Sequence, residues 1–389
     1  MISLLALFLR VYMALYGPFE YDERDYFGVA VQYNLAMRSG DWNQILNSSS
    51  NTEHPQFYKL VYATGLLAFN PVNDIAPMRA SDPLNANPYW PKLFSLRLIS
   101  VFFGTATVFV LSMIHPLAGL FLAVDTLEIK YTSVIYLEAL PQLLCLLSML
   151  GAMKALEVYQ GGAAEGTRRM WLKWLLLSAL AMGMTLASKY IYGAVMIAIG
   201  IAALWRGWKQ RGPVLLGLAG WGILCAVFFV LFDPVLWNGL ATRLSESFQF
   251  SFNYQNSSYI SEIGYPVWQP FYWLMQSIPQ YPTSPNPPYF MNKADFFVLA
   301  DPLIFILALA GLPSLFKKNK PMFWWLLVGI VFLLLWNTKW PQYMLLVLPA
   351  FCLSAGYGFE FLRAYLPGGK ASILDRLARK KPPQNPMTS

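Results

Sequence analysis

Charge is scarce in this chain. Asp, Glu, Lys and Arg make up 12% of its 389 residues, roughly half the share of an ordinary soluble domain, which argues against a solvated globular fold. Histidine is scarcer still: His54 and His115 are the only two, too few for a His-rich metal centre. The three cysteines, Cys145, Cys225 and Cys352, all lie inside apolar runs. They read as small buried hydrophobes, not as a disulfide framework or zinc set. No phosphate-cradling glycine loop, dinucleotide fingerprint, zinc signature or internal repeat is present, so a nucleotide-binding fold has no support.

What the chain has instead is apolar length. Hydrophobic residues reach 57%, the mean hydropathy is +0.44, and 14 Trp and 22 Tyr suit the two interfaces of a bilayer. The opening "MISLLALFLRVYMALYG" has no basic leader and no small-residue cleavage site, and reads as a retained membrane helix, not a signal peptide. Nine further apolar runs follow, at 93–113, 116–123, 131–153, 171–187, 191–205, 214–232, 296–316, 322–336 and 343–361. The third of the ten runs is short and soon meets Asp125, Glu128 and Lys130.

The net charge of +8 would suggest nucleic acid in a soluble protein; here topology accounts for it and no nucleic acid is expected. With a cytoplasmic N-terminus, the inner connections and tail carry sixteen basic residues against Glu157, Glu165 and Asp375, as the positive-inside rule requires. The basic tail at 363–389 and the N-terminus are then cytoplasmic. Two long loops, 17–92 and 233–295, share the extracytoplasmic side. The first has two amphipathic stretches, "DYFGVAVQYNLAMRSG" closing on Gly40 and "HPQFYKLVYATGLLAF" with Pro55 suited to a first helical turn, read as two helices lying on the membrane surface. The second ends in the proline-rich "PQYPTSPNPPYF", expected to be extended or irregular.

Three sets of polar residues stand out on the outer side. "PFEYDERDYFGVA" gathers Glu20, Asp22, Glu23 and Asp25 just past the first membrane helix, where carboxylates are costly unless they face water, a cation or a reaction. Asp22 and Glu23 are the pair with a functional reading; Glu20 and Asp25 read as solvated. "TEHPQFYK" places Glu53 beside His54, a pair able to contribute to a divalent-cation site or to orient a base, although a lone His is commonly just a hydrogen-bonded loop residue. Arg97, Lys189 and Lys339 lie at outer helix ends. Basic side chains there routinely snorkel, but together they could take a phosphate headgroup by charge-assisted hydrogen bonds. Asp233 ends a helix on the same side, and Asp125, Glu128 and Lys130 form a candidate internal ion-paired cluster.

The order of these motifs resembles the GT-C glycosyltransferases, above all the dolichyl-phosphate-mannose protein mannosyltransferases and the lipid A aminoarabinose transferases. It runs from the acidic pair through two amphipathic helices, "EHPQFYK", "LRLIS", "ASKY" and "FDPVLW…FNY" to "TKWPQYMLLVLPAFCLSAG". The resemblance implies an all-α polytopic fold of about ten membrane helices over 1–362, with the reaction at the extracytoplasmic face of the plasma membrane. It implies a polyprenyl-phosphate sugar donor and inverting transfer to a protein, lipid or glycan acceptor, with Asp22 as base and Glu23 its neighbour. Glu53 and His54 would position the acceptor or, with Asp22, a divalent cation such as Mg, Mn or Zn. Lys59, Arg97, Lys189 and Lys339 would meet the donor phosphate. Two departures bear on the acceptor: there is no large soluble C-terminal domain, and "HPQF" replaces a double-proline form. The alternatives are a non-catalytic membrane subunit that keeps the scaffold and binds partners through loop 233–295, and a transporter of lipid-linked substrates, which would want charged broken helices at mid-membrane.

Overall fold

The computed structural model describes residues 1–17, 19–51, 53–72, 89–160, 165–208, 211–277 and 300–364. The proline-rich stretch of the second loop and nearly all of the basic tail lie outside them. Among the described residues the chain is all-helical, without strands.

Helix α1 (Ile2–Tyr16) leads into the first loop, which holds α2 (Glu23–Ser39), the single turn α3 (Asn43–Leu46) and α4 (Phe57–Gly65). The sequence explains α2 well. Glu23 and Asp25 sit in its first turn and Arg38 in its last, complementing the helix dipole, and Gly40 closes it in the left-handed region at φ 72°. Pro55 is not in the first turn of α4: it precedes the Gln56 cap by one residue. α2 and α4 pack on each other, and α2 buries Tyr26, Phe27, Ala30, Tyr33 and Asn34 inside the protein.

The remaining apolar runs build the bundle. They give α5 (Trp90–Ile114), α6 (Pro116–Val124), α7 (Thr126–Tyr131), α8 (Ala139–Gln160), α9 (Glu165–Leu186), α10 (Ala194–Arg206) and α11 (Arg211–Phe232). The second long loop then contributes α12 (Leu240–Gln255), α13 (Ser258–Ile263) and α14 (Gln269–Met275), before α15 (Asp301–Lys318), α16 (Lys320–Leu335) and α17 (Leu348–Arg363). Among the described residues three helices, Trp90–Ile114, Ala139–Gln160 and Gly212–Phe232, are long and apolar enough to cross a membrane, and four shorter apolar helices accompany them. Each of the ten apolar runs contributes helix among the described residues, but two depart from single spans: the third, 116–123, lies within the nine-residue α6, and the fourth, 131–153, is non-helical over 132–138 before α8 begins. Asp125 ends α6, and its carboxylate accepts the Glu128 N–H at 2.9 Å to start α7. Nine residues of α6 reach only about 14 Å at 1.5 Å per residue.

Close packing fixes α15 against α17. A Cβ on Gly311 or Gly358 would overlap a backbone carbonyl of the opposite helix, and Ser354 Oγ donates to Ala308 O at 2.6 Å, the small-residue contact that membrane helices favour. The core runs from α1 through α5–α8 to α17, and it carries unusual cargo for an apolar interior: Arg10, Arg97, Lys59, Lys130 and Lys189 are all buried.

Candidate active site

Asp22 caps α2 with helical backbone angles and no capping hydrogen bond from its side chain. On either side of it, the chain is anchored. Glu20 is buried and ion-paired with Lys130 at 3.1 Å, so the solvated role expected for it is wrong; Asp25 is exposed, as expected. Glu23 is fully buried. Its Oε1 accepts from Arg97 Nε at 2.8 Å and from the Ile135 N–H at 2.8 Å, and its Oε2 accepts from Arg97 NH2 at 2.5 Å and from the Glu20 N–H at 2.8 Å. Arg97 also donates to Ala14 O and Gly17 O, each at 3.1 Å. Glu23 and Arg97, expected at the reaction centre and at the donor phosphate, therefore saturate each other. They are a structural strut beneath Asp22.

Asp22 itself is half-buried. Burial raises its carboxyl from the usual range to about 7, opposed by the cation of Lys189 and reinforced by Glu138, Asp25 and Glu20. Lys189 is ion-paired with Glu138, and its ammonium lies 5.3 Å from the Tyr343 ring centroid. Glu138 Oε2 is buried without a partner among the described residues. Tyrosines wall the same region: Tyr26 meets Tyr136 at 5.8 Å and His54 at 6.1 Å, and Tyr131 meets Tyr136 at 5.3 Å. A cation, a carboxylate of raised pKa and an aromatic wall can together seat an anionic headgroup and remove a proton beside it.

The other expected residues are placed differently. Lys59 is buried and donates to Asn51 O at 2.7 Å and His54 O at 3.0 Å. It staples the loop ahead of α4 and does not stand open to a phosphate. Burial lowers its ammonium to about 7, against the pull of Glu53 and Asp233. Lys339 donates to Leu334 O at 3.3 Å and Trp336 O at 2.5 Å, closing the end of α16. His54 is driven well below its ordinary pKa by burial, Lys189 and Lys59, so it is neutral. Glu53 accepts from the Asn51 side-chain amide. Among the described residues no three His, Cys, Asp or Glu side chains gather closely enough to hold a metal ion, so Asp22, Glu53 and His54 do not form the donor set expected for a divalent cation.

One residue of consequence was missed in the sequence: Glu138 lies in "EIKYTSVIYLEALPQ", where an ionisable group inside an apolar stretch was the available signal. Asp125, Glu128 and Lys130 do not pair with one another as expected: Glu128 is held by Arg10 at 3.4 Å, Lys130 by Glu20 at 3.1 Å, and the Asp125 carboxylate accepts the Glu128 N–H.

The family description of the dolichyl-phosphate-mannose-protein mannosyltransferases matches residues 29–241, more than half of the chain. The chain belongs to that family. The matched stretch of this mannosyltransferase-family protein includes Glu53, His54, Lys59, Arg97, Glu138 and Lys189 and begins seven residues after Asp22. Its fold is similar to that of ArnT from Cupriavidus metallidurans bound to undecaprenyl phosphate, with TM-score 0.58 and 17% identity over 92% of this chain and 59% of that one. It is also similar to the archaeal oligosaccharyltransferase AglB from Archaeoglobus fulgidus in complex with an inhibitory peptide and a dolichol-phosphate, with TM-score 0.50 and 11% identity over 100% of this chain and 52% of that one. The family protein thus spans between half and three-fifths of the length of these structures. At such identities the likeness concerns the fold, and it agrees with the GT-C resemblance of the motifs. No curated protein sequence matches the chain.

Proposed function

We propose that this protein is a glycosyltransferase that moves a sugar from a polyprenyl phosphate to an acceptor hydroxyl on the extracytoplasmic face, with Asp22 as general base. The observation that carries the reading is Asp22 itself: a carboxylate raised to about 7, facing the Lys189–Glu138 pair and held between two anchored glutamates. The family supports the sugar chemistry, and the lipid phosphates named with ArnT and AglB support the donor class.

In the step proposed, the acceptor oxygen attacks the anomeric carbon and its proton passes to the Asp22 carboxylate. The bond from that carbon to the phosphate oxygen breaks, and the polyprenyl phosphate leaves with the electron pair. Attack opposite the leaving group inverts the anomeric centre. Lys189 faces the negative charge that grows on the phosphate, where a preplaced cation in a water-poor site is most effective. Glu23 and Arg97 position the base without touching substrate. The apolar helices seat the protein in the membrane with both termini cytoplasmic.

The test is turnover of a panel of polyprenyl-phosphate sugars by the purified chain and its Asp22→Asn variant. Loss of a general base costs about 10²–10⁴-fold. The melting temperature should stay near that of the parent, because the Asp22 side chain caps no helix hydrogen bond. An Asn variant with undiminished turnover removes Asp22 from the mechanism, and a parent inert on every donor favours a scaffold without catalysis.

A further inference from the structure

A polar cavity opens along α2, and its lining includes Tyr21 and Arg24 on either side of Asp22 in the sequence. Its volume is about 620 Å³, and its wall includes Arg24, Asp25, Gly28 and Gln32 from α2 and Asn51 and Glu53 from the loop before α4. That size falls within the roughly 300–1,000 Å³ of small-molecule sites. The wall is built: Ser50 Oγ donates to Gln32 Oε1 at 2.9 Å across the gap, and the Asn51 amide donates to Glu53. Asn51 is held at φ 53°, a left-handed angle rare outside glycine, and its Oδ1 is buried without a partner among the described residues.

Helix geometry relates this cavity to the reaction centre. At about 100° per residue, Asp25, Gly28 and Gln32 share one stripe of α2, while Tyr26 and Tyr33 occupy the next. Asp22 lies on the ridge between them. The stripe with Tyr26 faces the Tyr136 ring and His54, on the side where Lys189 acts on Asp22. A donor on that side and a nucleophile in the cavity would therefore approach Asp22 from opposite flanks.

The chemistry of the wall narrows the occupant. Its charges are one guanidinium, Arg24, against two carboxylates, Asp25 and Glu53; a phosphorylated or sulfated ligand would meet more repulsion than attraction. The amides and hydroxyl of Gln32, Asn51 and Ser50 can each donate and accept, as can every hydroxyl of a sugar. Carboxylates that only accept and a guanidinium that only donates complete a set matched to neighbouring hydroxyls. A peptide would call for apolar anchors, and the aromatic edge here is confined to Phe19 and Tyr21. No three metal-ligating side chains gather there among the described residues.

Building on the glycosyltransferase reading, we infer that this cavity binds the acceptor and that the acceptor is a neutral saccharide, one of whose hydroxyls reaches Asp22. Gln32 is the residue that sets how large a saccharide enters.

Saturation-transfer NMR on the purified full-length chain tests this without donor, using methyl α-mannopyranoside, maltose, mannose 6-phosphate and a Ser/Thr-containing peptide as probes. The neutral sugars should bind, with the phosphosugar weaker by roughly tenfold or more through the two carboxylates. Gln32→Trp, which fills the cavity, should abolish sugar binding, whereas Gln32→Ala, which removes one amide and leaves the cavity open, should weaken it by only about tenfold or less; matched melting curves report that both variants are folded. Sugar binding undiminished in folded Gln32→Trp overturns the site, and saturable binding of the peptide or phosphosugar in place of the neutral sugars overturns the ligand class. The two readings fail separately. Donor turnover by the parent protein reports on the proposed function, whereas sugar occupancy of the parent protein in the absence of donor reports on the cavity.

Discussion

Asp22 can act as a base only when ionised, and its surroundings make that a question of ordinary pH. Burial lifts its pKa to about 7 while Lys189 pulls it down. Activity should thus rise as pH climbs through about 7 and fall about tenfold per unit on the acid side. Lys189→Met removes the opposing cation, so the rise should move to higher pH while kcat drops. The kcat/KM profile of each protein checks this; a midpoint that stays put or moves to lower pH in the variant would break the link between the two side chains. His54 needs no such profile, since burial and two nearby cations keep it neutral.

At the scale of elements, the start of α2 is held to the bundle twice within four residues. Glu20 reaches Lys130 at the end of α7, and Glu23 reaches Arg97 on α5 and the backbone before α8. Lys130→Met would remove the cation that neutralises buried Glu20, a loss of about 3–5 kcal/mol, visible as a lower melting temperature with kcat falling more than donor KM. Adding Glu20→Gln should restore much of the stability, because a buried pair can be replaced by uncharged groups at little cost. A double variant as unstable as the single one would mean that the pair does not anchor the segment. Some of this was legible in the sequence. The amphipathic pattern and Gly40 stop of α2 and the apolar runs are local signals, and they fold as local signals direct. The pairings are not local: Glu23 meets Arg97 across 74 residues and Lys189 meets Glu138 across 51. No periodicity links such positions, so Arg97 read as a phosphate ligand and Glu20 as a solvated charge until the fold brought their partners to them. The non-helical stretch 132–138 in the fourth apolar run was equally hard to read, since only Glu138 interrupts its apolar end before α8.

For the whole molecule, the charge pattern gives an orientation that can be checked. Cys145, Cys225 and Cys352 are fully buried, so a single introduced cysteine should report alone. An impermeant maleimide added to intact cells should label Tyr259→Cys in the second long loop, and should reach Arg168→Cys only after permeabilisation. The reverse pattern would invert the topology and with it the side of the reaction. The same whole-molecule view gives the buried pairs a further consequence. Arg10–Glu128, Arg97–Glu23, Lys130–Glu20 and Lys189–Glu138 each bring one positive and one negative charge to nearly the same point. A membrane voltage does work of about 2.3 kcal/mol per 100 mV on one elementary charge that crosses it, but almost none on a couple that moves together. Turnover in proteoliposomes should accordingly be the same with and without an imposed potential of about 100 mV. A strong voltage dependence would show that one of these couples separates during the catalytic cycle: a molecule rich in buried charge would then be electrically active where its pairing makes it electrically silent.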